Sequence, residues 1–213
     1  MSQPVKRPYD ASRRQEQARE NRARILAAAH ALFVEKGYGS TTIAEIARAA
    51  GVAGETVYAT FRTKAALLHR AWDVAVGGDE QYIHLLDRPA MRAVFDEPDL
   101  ADRLRRFAGV NTAVMRRTAR LLRAVQGAAG SDAAAAELLA TIDDARLESL
   151  GVHARRAAAT GQLGVPEEEC RDVLFATTDG SLWITLVGRR GWSDEQYAEW
   201  LGGMWVSALV ANR

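Results

Sequence analysis

Apolar residues recur along this chain every three or four positions and almost never every second one, the spacing of helices that bury one stripe. The first stripe is Ile25, Ala28, Ala29, Leu32 and Phe33, and Gly37 closes it. Two short stripes follow. Thr42 as N-cap with Glu45 three residues later predicts a capping box, Ile43, Ile46, Ala47 and Ala50 share a face, and Gly51 stands where a left-handed C-terminal residue is wanted. Val52 plugs the turn, and a second helix over Glu55–Phe61 points Val57 and Phe61 inward. Thr63 is then a plausible cap for a helix that runs through Leu67, Leu68, Ala71, Trp72 and Ala75 to Gly77 and Gly78.

Beyond that point Gly77-Gly78, Pro89 and Pro98 break the pattern, leaving a loop with one short helix near Pro89 to Phe95. Leu104, Phe107, Ala108, Asn111, Met115 and Leu122 repeat along a helix from Leu100 to Val125, with a break expected between Met115 and Thr118. Ser131 or Asp132 caps a long helix to about Thr160, with Leu138, Leu139, Ile142, Leu147 and Leu150 inward. Pro166 followed by Glu167, Glu168 and Glu169 suits a helix start. That helix carries Cys170, Val173 and Leu174, and Asp179-Gly180-Ser181 predicts a kink in it. Ser193 with Gln196 opens the last helix, striped by Tyr197, Trp200, Leu201, Met204, Trp205 and Leu209. The fold class is all-α.

Residues 41–68 carry the most specific signal. Small Ala47 permits close helix crossing, Gly51 makes the bend and Val57 locks the second helix onto the first, which is what a helix-turn-helix requires. Gly54, Glu55, Thr56, Tyr58 and Ala59 are left for the outward side, with no long aliphatic residue among them. A helix so short and so polar outside is built for presentation, and in this motif it enters the DNA major groove. Lys64 in the following first turn opposes the helix dipole, a placement that a nearby phosphate would reverse and that plain solvation also permits.

Charge sharpens this picture. The chain's formal net charge is only +1, but residues 1–70 hold 12 Lys and Arg against 6 Asp and Glu, while the remainder holds 16 against 21. The basic part coincides with the helix-turn-helix, as expected of a nucleic-acid reader. Residues 1–20, with Lys6, Arg7, Arg13, Arg14 and Arg19, read as a flexible basic arm that either follows phosphates or merely solubilises the chain. The single cysteine, Cys170, rules out an internal disulfide framework, and no apolar run is long enough to span a bilayer, so a cytoplasmic location is expected.

The segment IARAAGVAGETVYATFRTKAALL, preceded by ILAAAHALFVEKGYGSTT, closely resembles the N-terminal DNA-binding domain of TetR-family (tetracycline-repressor-like) transcriptional regulators. The shared positions over residues 22–68 include Gly37-Tyr38, Thr41-Thr42, Ile46-Ala47, Ala50-Gly51-Val52, Thr56-Val57-Tyr58, Phe61 and Lys64. The resemblance implies that Thr42, Tyr58 and Lys64 contact phosphates, with Thr41 beside them, and that Glu55, Thr56 and Ala59 lie near base edges together with Gly54. Two departures stand out: Ala53 replaces a frequent Ser cap, and Glu55 replaces a frequent Gly. Glu55 either accepts from a cytosine amino group or simply suits a helix N-terminus.

The resemblance also implies an N-terminal three-helix DNA-binding domain at residues 21–68, joined to a helical ligand-binding and dimerisation domain at 69–213. Two subunits would place two reading heads on a palindromic operator in double-stranded DNA, and a small apolar effector would release them. Phe107, Asn111, Met115, Phe175 and Trp183 are pocket candidates because they mix apolar bulk with one polar group, and each is equally compatible with plain core. Asn111 either orients a ligand or is satisfied by neighbouring backbone. On the last helix Trp200, Gly203, Met204, Val206, Ser207 and Val210 form a second small or apolar side, which predicts a homodimer.

Enzyme chemistry finds no support: there is no Gly-rich phosphate loop after a strand, no nucleophile elbow and no paired His/Cys spacing. His30, His69, His84 and His153 are scattered, and Asp79, Glu80, His84 and Asp87 lack the spacing of metal ligands. No cofactor or metal is expected. The alternative to an effector-released repressor is an architectural or multi-protein DNA binder without a small-molecule ligand.

Overall fold

The computed structural model describes residues 9–81 and 83–211, and the chain divides into two compact units, one ending at Ala71 and the other starting at Trp72. The described residues are helical, with one isolated antiparallel bridge between Leu163 and Val210.

In the first unit α1 (Tyr9–Lys36), α2 (Ile43–Ala50), α3 (Gly54–Phe61) and the first turns of α4 (Lys64–Gly77) enclose a small core. Ile25, Leu26, Ala29 and Phe33 of α1 are buried with Ile46, Ala47, Val57, Phe61, Leu67 and Leu68. α1 begins earlier than its apolar stripe suggests: residues 9–20, read from sequence as arm, are helical. They contain neither Gly nor Pro and are rich in Arg, Gln, Glu and Ala, all good helix formers. Gln17 and Arg24 both donate to Asn21 Oδ1, at 3.1 and 2.6 Å, and tie the next turns together. Lys6 and Arg7 lie outside the described residues.

The second unit holds the end of α4, α5 (Pro89–Phe95), α6 (Leu100–Ala129), α7 (Ala133–Ala158), α8 (Glu167–Thr177), α9 (Ser181–Trp183) and α10 (Asp194–Leu209), with a π-helical turn over Ile184–Arg189. α6 is the central element. It runs unbroken, contrary to the break expected between Met115 and Thr118. Residues 115–118 lack Gly and Pro, and Thr112 and Thr118 donate back to the carbonyls of Ala108 and Val114, so their hydroxyls are satisfied without leaving the helix. Leu147, expected inward, is exposed.

α7 and α10 both run antiparallel to α6. Arg103 donates to the carbonyl of Arg156 at 2.9 Å while Phe107 stacks on His153, and Arg116 pairs with Asp194 at 3.8 Å while Gly202 lies against Arg105. A side chain at Gly202 would come within 3.0 Å of the Arg105 Cα, so glycine sets the closeness of α10 to α6. The kink expected at Asp179-Gly180-Ser181 is a full break between α8 and α9, with Gly180 at φ 84° and its missing Cβ 3.0 Å from that of Ala119.

Candidate functional site

The reading head is built by α2 and α3. Thr42 N donates to Glu45 Oε2 at 2.9 Å, and Glu45 N donates to Thr42 Oγ1 at 3.2 Å, completing the capping box. Gly51, at φ 65°, ends α2, and Val52 N donates to the Ala47 carbonyl at 3.0 Å, closing the turn. α3 starts without a side-chain cap, since Ala53 offers none. Val57 and Phe61 are buried, which turns Glu55, Tyr58 and Ala59 outward, with Gly54 and Thr56 half-buried beside them. Tyr58 is 55% exposed, a large ring held on an otherwise polar face. The chain leaves α3 through Arg62 at φ 63°, the one described non-glycine residue with a left-handed φ, and Thr63 Oγ1 then accepts from Ala66 N at 3.0 Å to cap α4.

Two expected DNA contacts change character. Thr41 is fully buried, and its hydroxyl donates to the Gly37 carbonyl at 2.8 Å. Its side chain faces inward and shapes the turn before α2. Lys64 is not merely solvated. Its Nζ donates to the carbonyls of Tyr38 and Thr41, at 3.0 and 3.1 Å, and lies 4.2 Å from the centre of the Tyr38 ring. An ammonium has three protons, so one remains for an outside acceptor. Beside the head, Lys36 Nζ pairs with Glu45 at 2.7 Å; the lysine and the Thr42 N–H together hold the Glu45 carboxyl down at about 2.

In the second unit, Phe107, Met115 and Trp183 are buried in one core, with Phe175 at its edge under the Arg146 guanidinium, 4.4 Å from the ring centre, and Asn111 is buried on α6 between Phe107 and Met115. Trp183 Nε1 donates to Asp194 at 2.9 Å, and Trp205 Nε1 donates to Thr177 Oγ1 at 2.9 Å. Asn111 Nδ2 is buried without a hydrogen-bond partner, so the neighbouring-backbone reading of that donor does not hold. The sequence reading missed His153. It is buried, its Nε2 has no partner, and it stacks 3.9 Å from Phe107, which in turn stacks 5.2 Å from Trp205. Burial, reinforced by Arg156 and Arg103, pushes the imidazole down to about 3 and keeps it neutral. Its place three residues after Leu150, on the stripe that continues to Ala154 and Ala157, is the signal that marks it as inward.

A second missed residue is Arg117. From α6 it donates to the last carbonyls of α4, Ala75 at 2.7 Å and Val76 at 2.9 Å. Next to it Arg88 pairs with Asp79 through two contacts of 2.8 and 3.0 Å, holding that carboxyl at about 2. Asp79 is therefore spent on arginine, and His84 Nδ1 accepts from Leu86 N at 3.3 Å. No group of three His, Cys, Asp or Glu among the described residues is placed to hold a metal ion, and no described helix is long and apolar enough to cross a membrane.

On α10 the face away from α6 shows Trp200, Gly203 and Ser207 exposed, with Met204, Val206 and Val210 half-buried. Space is open around Gly203, in contrast to Gly202. Val210 also takes part in the bridge to Leu163, where Gly164 N donates to the Leu209 carbonyl at 2.8 Å.

Residues 25–71 match the family model described as bacterial regulatory proteins, tetR family. Over 65 residues the chain is 37% identical to the HTH-type transcriptional regulator AcrR of Shigella flexneri, a match spanning 30% of each protein. Thus the chain matches under a third of that relative's length. Among solved structures, the regulator FadR of Bacillus subtilis in complex with stearoyl-CoA superimposes with a TM-score of 0.68 at 18% identity, covering 87% of this chain and 97% of that one. GusR of Salmonella enterica superimposes with a TM-score of 0.61 at 26% identity, covering 89% and 95%. These likenesses extend the shared all-α fold across both units.

Proposed function

We infer, from the match of residues 25–71 to the tetR family model of bacterial regulatory proteins, a sequence-specific DNA-binding transcriptional regulator, a repressor released from its operator by a small, largely apolar effector. The observation that carries this reading is α3: an eight-residue helix anchored by buried Val57 and Phe61, whose outer side offers Glu55, Thr56, Tyr58 and Ala59 to a partner. A major groove accepts such a helix. Thr42, Tyr58 and Lys64 would then lie on phosphates, and Glu55, Thr56 and Ala59 near base edges. Gly54 lets the backbone at the helix start approach the groove.

The reading includes a homodimer through the exposed face of α10. One short helix reads few bases, whereas two related by a two-fold axis read half-sites roughly 34–36 Å apart or a multiple of that. The effector enters the core around Phe107, Asn111, Met115, Phe175 and Trp183, and α4 carries the response as a lever, since one continuous helix contributes its first turns to the first unit and its last to the second. An effector acts only by binding the released state better than the DNA-bound state. The reading assigns no catalytic residue.

The test is selection of bound sequences from a random duplex pool by the purified chain at near-physiological salt, with its mass measured in the same sample. An enriched palindrome bound by a dimer is the expected outcome. A folded dimer that enriches nothing would sink the sequence-specific reading.

A further inference from the structure

We propose that the N-terminal half of α1 is a second DNA-binding element, in which Arg14 and Arg19 hold backbone phosphates beside the groove that α3 enters. This rests on the reading of α3 as the helix in the groove. Every residue from 12 to 20 is exposed, so no described part of the chain covers any side of this stretch. A helix polar on all sides needs side-chain support, and Gln17, Asn21 and Arg24 supply it along a line turned away from the core.

The charges of the stretch are sorted between its sides. Steps of seven or eleven residues return to the same face of a helix. By that register an arginine precedes each buried residue of the α1 stripe: Arg14 before Ile25, Arg19 before Leu26, and Arg22 before Ala29 and Phe33. Glu16 and Glu20, the acidic residues between positions 12 and 24, fall on the other side with Arg13 and Arg24. The core-facing side of α1 therefore continues past the core as a purely basic side.

Its direction is set by α3. The Arg22 guanidinium lies over the ring of Phe61, the last residue of α3, 5.2 Å from its centre. Thus α3 rests on this side of α1, and its outer residues Glu55 and Ala59 face further out the same way. Arg19 and Arg14 stand about 4.5 and 12 Å beyond Arg22 along the axis. A major groove is about 12 Å wide and 8.5 Å deep, so a helix sunk into it brings the phosphates of the groove edge up toward the element that carries it. A guanidinium matches a phosphate with two parallel donors. An acidic protein would meet the same charges only by occupying the path of the operator.

The test measures duplex affinity of the full chain between about 50 and 200 mM salt, on the enriched operator and on a scrambled duplex of equal length. Each phosphate contact adds about 0.9 to the slope of log affinity against log salt, so Arg14→Gln with Arg19→Gln should lower the slope by about 2 for every chain bound. The enriched sequence should not change, because phosphate contacts carry no base information. Arg13→Gln, on the other side, should alter the slope by less than about 0.5. Lysine at positions 14 and 19 keeps both charges and should restore most of the slope, which separates a lost contact from a folding defect. An unchanged slope in the double glutamine variant, an equal fall per residue with Arg13→Gln, or no recovery with lysine would overturn the proposal. So would loss of binding to phosphatidylserine vesicles with duplex binding untouched, which would assign the face to a lipid surface. The scrambled duplex reports on these contacts even without an operator. A fall there with no enriched palindrome removes only the sequence-specific reading, an enriched palindrome without the fall removes only the α1 contact, and no binding to either duplex removes both.

Discussion

His153 is an imidazole kept neutral inside an aromatic stack, so its proton can be taken up only by unfolding or loosening that core. Its folded value near 3 lies below the ordinary value of 6.5, so its contribution is fully present above pH 6.5 and is lost as pH falls toward 3. Thermal melts of wild type and His153→Phe across that window should show a steeper acid decline for wild type; parallel curves would mean that the imidazole is not held neutral. Thr41 makes a second residue-level case. Thr41→Val keeps the shape but strands the Gly37 carbonyl, and should cost about 1–3 kcal/mol in urea unfolding. The capping box and Gly51 were legible in sequence because their partners lie three or four positions away. Thr41 and Lys64 were not, because the Thr41 hydroxyl also reaches the Leu32 carbonyl nine residues upstream and Lys64 reaches carbonyls 23 and 26 residues upstream.

Among the elements, helix existence followed from stripe spacing almost everywhere, while continuity did not. Two arginines in Met115-Arg116-Arg117-Thr118 interrupt the apolar pattern and suggested a break, yet one of them, Arg117, holds the end of α4. That contact ties the helix carrying Asn111 and Met115 to the end of α4, the proposed lever. Arg117→Ala is therefore expected to leave operator affinity within a few-fold while reducing release by effector, read as competition between duplex and a small molecule selected for releasing it; unchanged release would remove Arg117 from the coupling. Gly202 makes an element-level demand as well. Gly202→Ala must push α10 from α6 by a few tenths of an ångström, and overpacking of this kind typically costs about 1–3 kcal/mol.

For the molecule as a whole, the split of basic and acidic residues between its two parts was visible in sequence, and so was the helix that links them. The stack around His153 was not, since it joins α6, α7 and α10, whose pairing no local pattern encodes. The proposed operator complex divides the effects of substitution. Lys64→Ala should weaken binding to every duplex and reduce the salt slope by about 1, whereas changing Thr56 should alter the preferred sequence. Because Lys64 also holds two carbonyls, its variant should melt lower too. Trp200→Glu puts a charge on the exposed face of α10 and should yield monomers in sedimentation with sharply weaker palindrome binding. A dimer that persists would place the interface elsewhere.

Arg62 gives the region after α3 its own pattern of mutational tolerance. With φ at 63° and ψ at −48°, outside the left-handed helical well that asparagine visits, the position should accept glycine and reject valine, isoleucine and proline, whatever the DNA sequence offered. Neighbouring Thr56 and Tyr58 should lose function without losing protein. In a saturation screen that reads abundance and repression together, the two kinds of failure would separate within seven residues, and Arg62 would mark where selection for folding replaces selection for recognition.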